Sequence, residues 1–354
     1  MPGQEELDSY QRAIAKGLDA AFDGDGVEEL ELDLETAKLI IFSDHHKGAR
    51  DGADDFWRCE RAYVAALGYY LEAGHELYVV GDVEELWENS PDPVLEAYSS
   101  VLELEGEFHR QGRYQRFFGN HDDLWRHEDA VRKRLDRFFP GLKMRESLKL
   151  RVKRGGDELG LLFLVHGHQG TLDSARFAWF ARLVVRYLWR PLQRRLKMAS
   201  TTPAADYELR ARHDNAMFSW ARRHPGRPVL VAGHTHHPVF GNSKPPPVVK
   251  RSLETIESDL EGREGADPEA HARLRAELEF GKAARRRPDP PPQPIEPPCY
   301  FNSGCCSFGD GDVTGLEISD GQIKLVRWPN DAGEPLPKVL VSDELARVLE
   351  AVGH

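Results

Sequence analysis

Five short apolar runs between residues 39 and 236 each stop on residue types that bind metal ions. LIIF at 39–42 runs into Ser43-Asp44-His45-His46-Lys47, and ELYVV at 76–80 into Gly81-Asp82-Val83-Glu84-Glu85. YQRFF at 114–118 is followed by Gly119-Asn120-His121-Asp122, LLFLV at 161–165 by His166-Gly167-His168, and VLVA at 229–232 by Gly233-His234-Thr235-His236. A buried strand ordinarily ends in turn residues; acids and imidazoles crowded at its end imply a cation there. One such end alone would read as a strand followed by an aspartate N-cap. Its repetition after every run calls for a common cause.

Between the runs lie helical patterns, at about 54–73 and 93–111, after an amphipathic opening helix at 4–22. This alternation predicts an α/β fold with crossover helices. A further strand is expected at 147–153, and Ser319-Asp320-Gly321 marks a late antiparallel hairpin. In an open α/β sheet the C-terminal strand ends share one crevice, so the five loops converge. The candidate ligand set is Asp44, His46, Asp82, Asn120, His166, His234 and His236, free of thiolate. Seven ligands exceed one tetrahedral ion and suit two ions sharing a carboxylate. Glycines 81, 119 and 233 would let the backbone approach an ion or phosphate closely.

Composition narrows the setting. In 354 residues, 40% hydrophobic and 30% charged, the chain can bury one large core or two smaller ones. A net charge of −12 disfavours broad binding to nucleic acid or anionic membrane. Cys59, Cys299, Cys305 and Cys306 form neither CxxC pairs nor a secreted framework, so they read as reduced thiols of a cytoplasmic protein. The opening MPGQEELDSY lacks the features of a signal peptide, and no apolar run reaches membrane-spanning length.

The blocks DHH, GDVEE, GNHD, HGH and GHTH, in this order and followed by YFNSG, resemble the calcineurin-like metallophosphoesterase superfamily over about residues 38–240. The resemblance implies a two-layer β sandwich flanked by helices and a dinuclear site. One ion would be held by Asp44, His46 and His236, the other by Asn120, His166 and His234, with Asp82 bridging. The metals would be two divalent ions, manganese first, with iron or zinc as alternatives. The implied reaction is hydrolysis of a phosphoester or pyrophosphate bond by a metal-bound hydroxide. His121 would contact the phosphate and protonate the leaving oxygen, and Asp122 would orient it by accepting its other N–H. Asp122 or Asp123 also reads as an N-cap of the following helix.

Other residues admit two readings. His45 and His168 are substrate or ligand contacts, or solvated polar residues. Glu84 and Glu85 hydrogen-bond near the site or cap the next helix, and Lys47 and Arg50 meet a substrate phosphate or only solvent. His213, His224 and His237 have no assigned role; Cys305 and Cys306 read as small core packing.

The chain reads as a single domain over 1–354, with a helical cap insertion at 172–220 and a Pro-rich, helical or partly disordered insertion at 241–298. Phe177, Phe180, Val184 and Leu188 form an apolar stripe flanked by arginines. Segment 172–198 could therefore touch a membrane surface peripherally, or simply pack on the catalytic body. A helical insertion between HGH and GHTH is similar to that of UDP-2,3-diacylglucosamine pyrophosphatases, and GDVEELWE looks like their second block. That branch carries arginine where His121 stands and lacks the later insertion. A phosphorylated small molecule or a lipid-linked or nucleotide-linked phosphate is the expected substrate. Two alternatives remain at this point: an inactive binding scaffold, which would usually show gaps in the ligand set, and a nuclease, which would need a contiguous basic groove.

Overall fold

In the computed structural model, the apolar runs form strands whose successive side chains enter different layers. The structure describes residues 9–51, 54–170, 203–241, 297–308, 311–330 and 335–353, apart from the side chains of 203–209. Strand β2 (Lys38–Phe42) buries all of Leu39–Phe42. Leu39 and Ile41 face one core while Ile40 and Phe42 face another, and β3 (Glu76–Val80) divides Tyr78 and Val80 from Leu77 and Val79 in the same way. A continuous apolar run is what a parallel strand covered on both faces requires.

These strands pair in parallel with each other and with β4 (Tyr114–Phe117) and the short β5 (Met144–Arg145). On the other side of β2 the sheet continues antiparallel through β11 (Val313–Ser319), β12 (Gln322–Trp328) and β13 (Lys338–Glu344). Among the described residues the second sheet has six strands in the order β1-β6-β7-β8-β10-β9. They are β1 (Glu28–Asp33), β6 (Ser147–Arg154), β7 (Asp157–Val165), β8 (Val229–Ala232), β9 (Pro238–Gly241) and β10 (Tyr300–Ser303). One core lies under α2 (Glu60–Glu72) and α4 (Ser99–Arg110) on the outer face of the seven-stranded sheet. The other joins the two sheets and carries α1 (Ser9–Asp23), α6 (Pro203–Arg223) and α7 (Leu345–Gly353). The fold is thus an α/β sandwich of two sheets flanked by helices.

Several boundaries differ from the sequence expectation. The loops do not leave one open sheet: β2, β3 and β4 belong to one sheet, β7 and β8 to the other. The helix expected at 54–73 begins at Glu60, after a 3-10 turn over Phe56–Arg58. That expected at 93–111 is two helices, α3 (Pro91–Ala97) and α4, divided at Tyr98. Tyr98 is buried, and its hydroxyl donates to Asp54 at 2.7 Å, holding the residue out of helical geometry. A further helix, α5 (Glu128–Arg134), follows the loop after β4. The expected hairpin joins β11 to β12, with Asp320 at φ 53° and Gly321 at φ 74°, the two left-handed residues of a type I′ turn. Residues 203–220 of the expected cap lie in α6, which packs on α1 and β8; its stripe at 172–198 and nearly all of 241–298 lie outside the described residues. Among the described residues no helix is long and apolar enough to cross a membrane.

Candidate metal centre

The loops after β2 and β3 prolong the pairing of their strands. Asp44 N–H donates to the Gly81 carbonyl, His46 N–H to Asp82, Lys47 N–H to Val83, and Glu85 N–H back to Lys47, all within 3.1 Å. From the other sheet, Gly233 N–H donates to the His166 carbonyl at 3.0 Å, and His234 N–H reaches both Asp44 carboxylate oxygens at 3.1 and 2.9 Å. The two sheets are thereby tied through Asp44.

Three overlapping groups of side chains result, each compact enough to surround one ion: Asp44, His46 and His236; His46, Asp82 and His121; Asp82, His166 and His234. His46 Nε2 lies 3.0 Å from His236 Nε2 and 3.9 Å from Asp44 Oδ1. Asp82 Oδ2 stands 3.1 Å from His166 Nε2 and 4.0 Å from His46 Nε2, between two of the groups. His166 donates Nδ1–H to the Val80 carbonyl at 2.8 Å, which turns Nε2 inward toward Asp82 and fixes the ring's orientation. Asn120 Oδ1 is buried with no hydrogen-bond partner among the described residues. An orphaned buried acceptor beside this set of nitrogens and carboxylate oxygens fits a divalent ion.

The electrostatics agree. Asp44 and Asp82 are essentially inaccessible, yet both stay well ionised, because neighbouring imidazoles outweigh the burial that would raise their pKa. Burial pulls the His46 and His166 imidazoles down, but Glu85, Asp82 and Asp44 push His46 up to about 10, and Asp82 and Asp44 push His166 up to about 9. In the metal-free centre the protons on these two rings neutralise the acids. His234 and His236 are instead lowered, chiefly by burial.

His121 sits at the edge of this centre, and its partner differs from the expected one. Asp122 does not face the ring: its carboxylate accepts N–H groups of Gly119 at 2.6 Å, Val83 at 2.9 Å and Asp82 at 3.3 Å. Burial, then Asp82 and Glu84, raise its pKa to about 7. Asp122 is a loop-shaping residue in this geometry, and the expected orienting contact is corrected. Glu85 makes that contact, with Oε2 2.6 Å from His121 Nδ1 and 3.1 Å from His46 Nδ1. Trp87 stacks on the His121 ring, centroids 4.0 Å apart and 17° from parallel. Glu85 closes the GDVEE block and Trp87 lies in its extension GDVEELWE, so both stood inside visible motifs although neither was assigned this contact.

The remaining candidates fall elsewhere. Lys47 is fully buried and donates to Glu105 at 2.6 Å, and Glu84 points inward to Arg116 and Trp125, so neither meets substrate. Arg50 is engaged by Glu60 and the Ala97 carbonyl. His45 is buried against Phe56 and Tyr63, opposite in direction to its neighbours and not solvated. His168 lies nearby, its ring 5.4 Å from that of His166, lowered to about 3 mainly by burial. All four cysteines are buried thiols, none of them in a disulfide. The motif glycines answer to space: a Cβ at Gly119 would collide with the Asp82 carboxylate, and one at Gly81 with the His166 ring.

No family model matches the chain, and no curated protein matches it. Among solved structures it is similar to a conserved uncharacterized protein of Streptococcus pneumoniae described as a predicted phosphoesterase. Identity is 12%, coverage is 86% of this chain and 98% of that one, and the TM-score is 0.29.

Proposed function

We propose that this protein is a metal-dependent phosphoesterase whose centre takes two divalent ions, with manganese the first candidate. The observation that carries this reading is the position of Asp82 Oδ2 between His166 Nε2 and His46 Nε2, members of adjoining ligand groups. Asp44, His46 and His236 would hold one ion and Asn120, His166 and His234 the other, with Asp82 shared. Two such ions, when bound, supply Lewis-acid charge to phosphoryl oxygens and acidify water.

The chain's own residues do the rest. His121, with Nδ1 engaged by Glu85, has Nε2 left to meet substrate, and the carboxylate favours the protonated ring that a general acid needs. Trp87 fixes the plane of that ring from one side. The substrate is a phosphoester or pyrophosphate, with lipid-linked or nucleotide-linked phosphates among the candidates.

The test pairs metal analysis with a panel of phosphomonoesters, phosphodiesters and nucleotide pyrophosphates. Wild type should hold two ions and hydrolyse at least one class; a single ion in an active preparation refutes the dinuclear reading. His121→Ala should keep both ions and lose rate by about 10²- to 10⁴-fold. The loss should shrink on a nitrophenyl ester, whose leaving group departs without a proton. Equal losses on aryl and alkyl esters would rule out protonation, and loss of an ion would make His121 a ligand.

A further inference from the structure

His213 and Asp214, adjacent on α6, belong to none of the ligand groups, yet both are buried beside the loops that carry ligands. His213 Nε2 lies 2.8 Å from the Gly167 carbonyl, between His166 and His168, and an acceptor there requires the proton to sit on Nε2. With Nε2–H donating to that carbonyl, Nδ1 faces the Tyr10 hydroxyl at 2.8 Å, so the ring is held from both sides. The same ring meets that of His234 edge-on, centroids 4.9 Å apart. Asp214 holds the next loop: its carboxylate accepts from Thr235 Oγ1 and Tyr300 Oη, each at 2.8 Å, and lies 3.3 Å from His237 Nδ1. Asn302 completes the clamp, donating to the Gly233 carbonyl at 2.6 Å and Thr235 Oγ1 at 3.1 Å.

These contacts answer a physical need. His234 and His236 have left-handed backbones, φ 70° and 59°, which non-glycine residues keep only where the surroundings over-determine them. Thr235 lies between the two, and its side chain is what Asp214 holds. We propose that His213 and Asp214 are positioning residues of the metal centre. His213 acts on the ion bound through His166 and His234; Asp214, through Thr235, acts on both ions. This inference rests on the two-ion reading above.

Calorimetric titration of the chelator-treated full chain with Mn²⁺ tests it, alongside the melting temperature of each metal-free variant. His213→Phe, which keeps a ring but removes the N–H, should weaken one of two affinities by about 10- to 100-fold and leave the other unchanged. His213→Gln, whose amide N–H can reach the Gly167 carbonyl, should restore most of the loss. Asp214→Asn should weaken both ions. Unchanged affinities in His213→Phe, or a lower melting temperature with the ratio of the two affinities preserved, overturn the proposal. Should His213→Phe fail to fold, Tyr10→Phe removes the partner that holds the ring and should weaken the same ion by a smaller factor; no change there overturns it equally. If wild type binds a single ion, the two-ion reading falls, and the His213→Phe loss is read on that one affinity.

Discussion

Glu85→Gln separates the two tasks that one carboxylate performs. Glu85 Oε2 is shared between His46 Nδ1 at 3.1 Å and His121 Nδ1 at 2.6 Å, and the two imidazoles hold its pKa at about 2 against the opposing effect of burial. Glutamine keeps the size and an acceptor oxygen but removes the charge. A hydrogen bond to a charged group is worth about 1.5–3 kcal/mol and a neutral one about 0.5–1.5, so each contact loses roughly 1–1.5 kcal/mol. On the His46 side the loss appears as about tenfold weaker metal binding, and on the His121 side as about a tenfold lower rate, since about 1.4 kcal/mol is one factor of ten.

Calorimetry with Mn²⁺ reads the first, and turnover of a poor-leaving-group ester at saturating metal reads the second. The second should not recover as metal is added. The carboxylate also raises the His121 pKa, so its loss moves the alkaline limb of the pH–rate profile, where the general acid deprotonates, to lower pH. A variant whose rate returns to wild type at high metal would show that Glu85 serves His46 alone, and unchanged affinity with unchanged rate would refute both assignments.

Asp82→Asn should abolish turnover more completely than loss of Asp44 or His236, because it removes the shared charge; substantial activity at saturating metal would contradict the bridging position. Arg116→Met strips the cationic partner from a fully buried Glu84, whose oxygens lie 2.6 and 2.5 Å from Arg116 Nη2, leaving only the neutral Trp125 N–H, and should cost about 3–5 kcal/mol in thermal denaturation. Adding Glu84→Gln should recover much of that loss; a double variant as unstable as the single would contradict the pairing. The metal-free protein should also lose stability with rising pH. His46 and His166 are raised from 6.5 to about 10 and about 9, so their contribution is complete below pH 6.5 and vanishes as pH passes through those higher values. Metal-loaded protein, whose imidazoles must be neutral, should lack this decline, and parallel melting curves for the two forms would argue against it.

What was legible in the sequence was local. Each candidate ligand stands directly after an apolar strand, and strand and loop are neighbours in the chain, so composition and order sufficed to draw up the set. The partition of the strands between two sheets was not legible, because β2, β3 and β7 all end in the same four-residue buried run whichever sheet they join. Strand β1 was missed because only Leu30 and Leu32 are apolar within EELELD; its glutamates are matched by Arg151 and Lys153 on β6, pairs formed across 122 residues. Asp214 and Tyr300 are 86 positions apart, and Glu85 and His46 are 39. No periodicity encodes such meetings. Lys47 and Arg50, read as meeting a substrate phosphate or only solvent, show the converse: each finds an acid on a neighbouring helix, which the letters beside a ligand motif do not reveal.

The D-x-H and H-x-H blocks, from loops on different sheets, solve one geometric problem in the same way. Asp44, His46, His234 and His236 all have left-handed backbones, at φ 54°, 51°, 70° and 59°. Each such residue costs on the order of 1–2 kcal/mol, which the fold must offset nearby. In both blocks the middle residue turns away from the ligands and is buried: His45 against Phe56 and Tyr63, Thr235 into Asp214 and Asn302. The middle residue therefore anchors the loop while its two neighbours project together into the centre, where Asp44 and His236 come within 3.3 Å. Two strained loops anchored from behind can hold ligands at a spacing that relaxed turns would not, and the same strain lets them face each other across the gap between the sheets.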